Sequence, residues 1–313
     1  MNEITYSFVI PHHNTPALLQ RLIDSIPQRE DIEIIIVDDN SDDDKKANIS
    51  RSDVKTVFID KEHTKGAGRA RNVGIDYSRG KWILFADADD FYKPNFLEVL
   101  DEYKDEKIDI LFFNTDSVDT KTLKPDKVNR AKYQQKLVEQ YDGTKESEIF
   151  MRYFRYAPWC KMINRAFVRQ YNFRFEEISI LNDSFFALQT GHFADIIKVD
   201  KRILYTLTFL SGSITYSKVS RKKYSDSINV YRKRQELFSY IGHSEWNKKS
   251  IRGRNSQSIL KYIHILMRRH FSSGLHALFY YITHWRKIER NAMGYVEIFK
   301  NLELRRYVDR NNV

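Results

Sequence analysis

The 313-residue chain is 42% hydrophobic and 14% aromatic, which excludes disorder, and its single cysteine, Cys160, excludes an internal disulfide framework. No run approaches the roughly 20 apolar residues of a membrane span, and MNEITYSFVIP lacks the leader of a signal peptide, so the chain is expected in the cytoplasm. The net charge of +10 is uneven: residues 221–313 hold 20 Lys and Arg against 7 Asp and Glu, leaving residues 1–220 at −3, a distribution that argues against nucleic acid as the partner.

Strand-like apolar runs alternate with helix-like segments through the first half. In order they are YSFVIP (6–11), a helix over 16–27, IEIIIVDD (32–39), VKTVFID (54–60), a helix over 66–79, KWILFAD (81–87), a helix over 94–104 and IDILFFN (108–114). Strands that are apolar on both faces and separated by helices predict an α/β fold with a mostly parallel sheet covered on both sides, binding its ligand beyond the carboxyl ends of the strands. Three of these strands end in Pro11-His12-His13-Asn14, Asp38-Asp39-Asn40-Ser41 and Asp87-Ala88-Asp89-Asp90, which are predicted to converge on one crevice.

Residues 115–145 are polar and read as a hairpin or loop, with helical patterning resuming near Glu146. From about residue 221 the spacing is helical. Ile259, Tyr262, Ile263 and Leu266, then Leu275, Leu278, Phe279, Ile282 and Trp285, recur at three- and four-residue steps among Lys and Arg. The chain therefore divides into a domain over 1–220 and a basic amphipathic helical region over 221–313.

The acidic cluster at 87–90 is the sharpest chemical signal. Two carboxylates about 4 Å apart repel by about 4 kcal/mol at an effective dielectric near 20, so three in one cleft call for a cation. Capping of the helix that Pro94 opens is the simpler role, but it occupies one aspartate. A divalent ion with oxygen ligands and open positions, Mg²⁺ or Mn²⁺, is the form in which a metal is presented to a substrate diphosphate, which points to phosphoryl or glycosyl transfer. An aspartyl-phosphatase is disfavoured, because its Asp-x-Asp follows the first strand and is itself followed, two places on, by Thr or Val, where this chain has Phe91. GAGRARNVG fails as a dinucleotide fingerprint, since position 71 is Arg where the third glycine is required. His12 and His13 are adjacent and leave a strand in opposite directions, so they read as ordinary loop histidines and not as a metal pair.

SFVIPHHNTPALLQRLIDSI, IEIIIVDDNSDD and GAGRARNVGIDYSRGKWILFADADDFYKP together resemble the catalytic core of the family-two glycosyltransferases of the GT-A fold, the nucleotide-sugar enzymes of bacterial polysaccharide assembly. The resemblance covers about residues 4–115, and more weakly 146–220. It implies that Pro11, Asp38 and Asp39 hold the nucleotide base and ribose. Asp87 and Ala88 would lie on the ribose side and Asp89 on the metal, with Asp90 left to local structure or a secondary metal contact. Arg71 and Asn72 would lie near the nucleotide, or else fix their helix against the loop, and Lys65 would face the uracil or diphosphate. His13 departs from the aromatic residue common before the asparagine.

APWCKMINR resembles the family's acceptor-side Trp-x-Lys segment, which places Trp159 and Lys161 there, with core or rim packing as the alternative for Trp159. In LNDSFF the resemblance makes Asp183 the base that deprotonates the acceptor hydroxyl, while Asn182 stands where the family has glutamate and helix capping remains the alternative for either residue. SGSITYSK (211–218) resembles a loop that closes over the diphosphate. The reading is an inverting, metal-dependent hexosyltransferase using a nucleotide sugar, UDP-Glc, UDP-Gal or an N-acetyl derivative foremost. Its acceptor would be a lipid-linked or free saccharide in O-antigen or capsule synthesis. The basic region either docks peripherally on the inner face of the cell membrane or packs on the core or a partner. The alternative is a catalytically degenerate protein that only binds a sugar nucleotide or nucleic acid.

Overall fold

The computed structural model of the chain describes residues 3–63, 66–126, 129–209, 220–244, 246, 260, 263–264, 267–268 and 271–311. It comprises two compact units, Met1–Glu177 with Asn182–Ser213, and Ile178–Leu181 with Ile214–Val313.

The first unit is built on one eight-stranded sheet in the order β3-β2-β1-β4-β7-β6-β8-β5. Its strands are β1 (Tyr6–His12), β2 (Ile32–Asp39), β3 (Val54–Ile59), β4 (Trp82–Phe85), β5 (Phe91–Tyr92), β6 (Ile110–Asp119), β7 (Lys161–Asn164) and β8 (Ile197–Phe209). Pairing is parallel from β3 through β4, antiparallel on both sides of β7, parallel between β6 and β8, and antiparallel for β5 on β8. Four of the seven pairings are parallel, as expected of a mostly parallel sheet, and β7 and β5 enter it as short antiparallel strands. Every residue of β1, β2 and β4 is buried, as the two-sided apolar patterning requires.

Helices α1 (Pro16–Asp24), α2 (Ala67–Tyr77), α3 (Phe96–Asp101), α4 (Lys132–Glu139), α5 (Lys145–Phe154), α6 (Arg165–Gln170) and α7 (Ser184–Phe193) complete this unit. The 115–145 segment, read as a hairpin or loop, does turn back on itself after β6, with Val118 bridged antiparallel to Pro125, but it also holds a helix, Lys132–Glu139, with Leu137 and Val138 buried. Gly74 lets α2 seat directly on β1, since a Cβ there would lie 2.2 Å from Val9 Cγ1.

In the second unit α8 (Arg221–Tyr240) packs with α9 (Phe271–Asn311) around Tyr224, Ile228, Tyr231, Ile263, Ala277 and Ile288. Arg232 links the pair through Glu289 at 3.2 Å, and Ser179 ties its short segment to α8 by donating to Asp226 at 2.5 Å. Among the described residues no helix is long and apolar enough to cross a membrane.

Candidate active site

The carboxyl ends of β1, β2 and β4 lie side by side because the three strands are adjacent and in parallel register, with His12 opposite Asp38. His12 corrects its reading as a loop histidine. It is buried in β1, with Nδ1 2.9 Å from Asp38 Oδ2, while its Nε2 accepts from the Thr15 amide at 3.2 Å, which leaves the ring proton on Nδ1. Asp38 also accepts from the Ser41 and Ala47 amides. Burial raises its carboxyl, and these donors outweigh burial and hold it below its usual range. Asp38 therefore fixes the turn after β2, while Asp39 faces the site.

Asp39 Oδ2 accepts from the Gly66 amide at 2.9 Å, which ties the turn after β2 to the start of α2. Gly66 has a φ of +79°, a conformation that L side chains rarely adopt. Among the described residues Asp39 Oδ1 is buried without a hydrogen-bond partner, an acceptor left open in the site. Pro11 is buried in β1 opposite Val37 of β2. Lys65 and the 211–218 loop lie outside the described residues.

The acidic turn divides its aspartates by environment. None caps α3, which begins at Phe96 behind a left-handed Asn95 and has no side-chain cap. Asp90 is buried and accepts from the Tyr205 hydroxyl at 2.9 Å and the Thr208 amide at 2.7 Å, so it braces the turn against β8. The same Tyr205 oxygen accepts from the Asp87 amide at 3.0 Å. Arg21 from α1 donates to the Asp89 carbonyl at 2.5 Å, and the Thr208 hydroxyl donates to that carbonyl too. These anchors leave the Asp87 and Asp89 carboxylates projecting together. Burial, then the neighbouring Asp87, pushes the Asp89 carboxyl up to about 6, the behaviour of a site short of positive charge.

Arg71 joins this turn to the other half of the site. Its guanidinium donates to Asp87 Oδ1 at 2.6 Å and to Asn182 Oδ1 at 3.0 Å, and lies over the Phe175 ring at 5.4 Å. Asn72 holds the same loop through two bonds to the Phe175 backbone, at 3.0 and 2.8 Å. Gly68 permits this closeness, as a Cβ there would lie 2.1 Å from the Glu176 carbonyl oxygen. Asn182, the departure that kept a binding-only reading open, thus works as the acceptor for Arg71.

Asp183 follows at the start of α7, and its side chain makes no capping hydrogen bond. Burial raises its carboxyl, Arg71 and Lys161 oppose that, and Asp87 is near enough to add to it. Lys161 is buried in β7 and donates to the Arg155 carbonyl at 2.7 Å; burial, then Arg155, lowers its ammonium to about 7. Trp159 stacks on Tyr205 at 6.0 Å between ring centroids, and the Arg155 guanidinium lies over the Trp159 ring, 5.2 Å from its centroid. Ala88 is buried within the turn. Arg21, Tyr205 and Thr208 carry no motif and were not among the sequence candidates.

The family model "Glycosyl transferase family 2" matches residues 7–172, more than half of the chain, and the chain belongs to that family. It is 26% identical over 242 residues to the putative glycosyltransferase EpsH of Bacillus subtilis (strain 168), covering 74% of this chain and 68% of that one. It is also 29% identical over 102 residues to UDP-Glc:alpha-D-GlcNAc-diphosphoundecaprenol beta-1,3-glucosyltransferase WfgD of Escherichia coli, 32% of this chain and 40% of that one. Among solved structures, S. aureus TarS 1–349 in complex with UDP-GlcNAc matches with a TM-score of 0.57 at 20% identity, covering 75% of this chain and 67% of that one. The α/β fold is accordingly of the GT-A type, and the protein is a glycosyltransferase with relatives in polysaccharide and lipid-linked sugar synthesis.

Proposed function

We propose that the protein transfers a hexosyl residue, with inversion, from a UDP-sugar to a saccharide carried on a lipid diphosphate, for O-antigen or capsule assembly. The observation that carries this reading is the Arg71 bridge, which binds Asp87 of the acidic turn on one side and Asn182, next to Asp183, on the other. Donor-side and acceptor-side carboxylates are thereby held in one frame.

Asp39, whose buried Oδ1 has no partner among the described residues, suits an N–H or O–H of the nucleoside, and Asp87 the ribose. Asp89 fits a divalent cation by its raised carboxyl. Among the described residues no group of three or more His, Cys, Asp or Glu is arranged to hold a metal ion, so the remaining ligands would be donor diphosphate oxygens and water. Mn²⁺ or Mg²⁺ held there would supply charge neutralisation for the departing diphosphate. Asp183 takes the proton from the acceptor hydroxyl as that oxygen bonds to the anomeric carbon. The bond from that carbon to the nucleoside diphosphate breaks with its electron pair leaving on the phosphate oxygen. Burial that raises the Asp183 carboxyl makes it a stronger base near neutral pH. Trp159 lines the acceptor side, and the buried Lys161 acts on Asp183 through its charge.

WfgD's own name describes transfer to a diphosphoundecaprenol-linked sugar, which supports a lipid-linked acceptor here. The basic residues 221–313 would then hold the enzyme peripherally at the cytoplasmic leaflet. The test is nucleoside diphosphate release from UDP-, GDP- and dTDP-sugars with Mn²⁺, Mg²⁺ or EDTA. Release from a UDP-sugar that EDTA abolishes is expected, and no release from any donor would overturn the reading.

A further inference from the structure

Helix α9 buries one face and exposes a second apolar one. Ala277, Ile288, Ala292 and Phe299 are buried in the second unit. Phe271, Leu275, Phe279, Ile282 and Trp285 are exposed, Phe271 at 68% and Phe279 at 69%. At 3.6 residues per turn these five fall within about 120° of arc and run about 21 Å along the helix. Large apolar side chains gathered on one exposed stripe are uncommon on a surface that meets only water.

The charges around the stripe identify its occupant. Arg286, Lys287 and Arg290 are exposed at its carboxyl end, and the one acid among them, Glu289, is paired with Arg232 at 3.2 Å. The Arg286 guanidinium lies 5.5 Å from the Trp285 ring, so an aromatic body and a cation sit at the same level. A second copy of this chain would bring one strongly basic segment against another, 20 Lys and Arg to 7 Asp and Glu on each. An anionic surface with an apolar layer beneath it satisfies both features together.

We infer that the Phe271–Trp285 face of α9 is the membrane-contacting element, lying in the headgroup region of an anionic bilayer with its apolar side chains inserted and Arg286, Lys287 and Arg290 at the phosphates. This rests on the lipid-linked acceptor proposed above, and it adds an apolar component to docking that charge alone would not give. Binding held by charge alone is lost as salt rises, whereas inserted side chains retain part of it.

The full chain is tested by sedimentation with phosphatidylglycerol/phosphatidylcholine vesicles and with phosphatidylcholine vesicles, neither containing any acceptor. The protein is expected to bind the anionic vesicles and to keep part of that binding at high salt. F279S/I282S is expected to bind on the order of tenfold more weakly, with unchanged nucleoside diphosphate release in solution. Brominated phosphatidylglycerol should quench wild-type fluorescence and leave Trp285→Phe unquenched, a readout that needs no disruptive variant. Wild-type binding by F279S/I282S, equal quenching of Trp285→Phe, indifference of the protein to anionic vesicles, or a dimer that the double substitution dissociates without changing vesicle binding would each overturn the inference. Absence of turnover with every donor would refute the transferase reading and leave these binding results standing.

Discussion

Replacing Tyr205 by Phe removes one oxygen that makes two hydrogen bonds at once, donating to Asp90 Oδ2 at 2.9 Å and accepting from the Asp87 amide at 3.0 Å. Asp90 is buried, so the loss leaves a desolvated carboxyl oxygen and a backbone N–H without their partner, at a cost of about 1–3 kcal/mol. At about 2–4 °C per kcal/mol for a unit of this size, the thermal unfolding midpoint should fall by about 2–12 °C. Because the same turn carries Asp89, the metal concentration for half-maximal turnover should rise in parallel. Tyr92 supplies the control. It packs edge-on against the Tyr205 ring at 5.0 Å, yet its own hydroxyl is buried with no hydrogen-bond partner among the described residues. Tyr92→Phe should therefore be neutral or slightly stabilising. The assay is paired differential scanning fluorimetry and metal titration of the two variants. If Tyr205→Phe melts with Tyr92→Phe and the wild type, the bracing of the acidic turn by β8 is refuted.

Asp183→Asn should lower transfer by about 10²–10⁴-fold while the melting temperature stays within about 1 °C, since general-base catalysis is lost but no cap is; near-normal turnover would remove Asp183 from the mechanism. The Asp89 carboxyl, held at about 6 in the folded chain against about 4 in an unfolded one, contributes stability that is full below the unfolded value and lost as pH rises through about 6. Turnover should accordingly rise through that pH. The melting-temperature gain from Mn²⁺ should be larger at pH 7.5 than at pH 5, and equal gains at both would contradict the assignment. Gly74→Ala places a methyl 2.2 Å from Val9 Cγ1 in the core and should cost about 1–3 kcal/mol by denaturant unfolding. Gly68→Ala instead meets the Glu176 carbonyl at 2.1 Å and should loosen the loop that Arg71 and Asn72 hold. Its activity loss should exceed its stability loss, and the reverse order would show that the loop does not matter to the site.

The readable part of this protein was its donor side. YSFVIP, IEIIIVDD and KWILFAD are buried on both faces, and that patterning needs neighbours in parallel register with helices outside, so their polar ends had to meet. GAGRARNVG was legible as helix; Gly68 and Gly74 are points of close approach, while Gly66 serves the positive φ ahead of the helix. The 115–145 segment carries the hairpin its composition suggests after β6, but its helix, Lys132–Glu139, buries only Leu137 and Val138 and so shows little helical period. β5 and β7, of two and four residues, are too short to show a period at all.

The motifs in one sequence determine the family, the order of the sheet's first strands and the aspartates at their ends, since each follows from local patterning. The tertiary structure alone decides which aspartate is free to act. Tyr205 reaches Asp87 across 118 positions and Arg71 reaches Asn182 across 111, and bonds over such separations leave no trace in periodicity or spacing. Asp87, Asp89 and Asp90 are alike as a string. Burial under β8 and the reach of Arg71 and Arg21 make one a brace, one a bridge and one a carboxyl held well above its usual range.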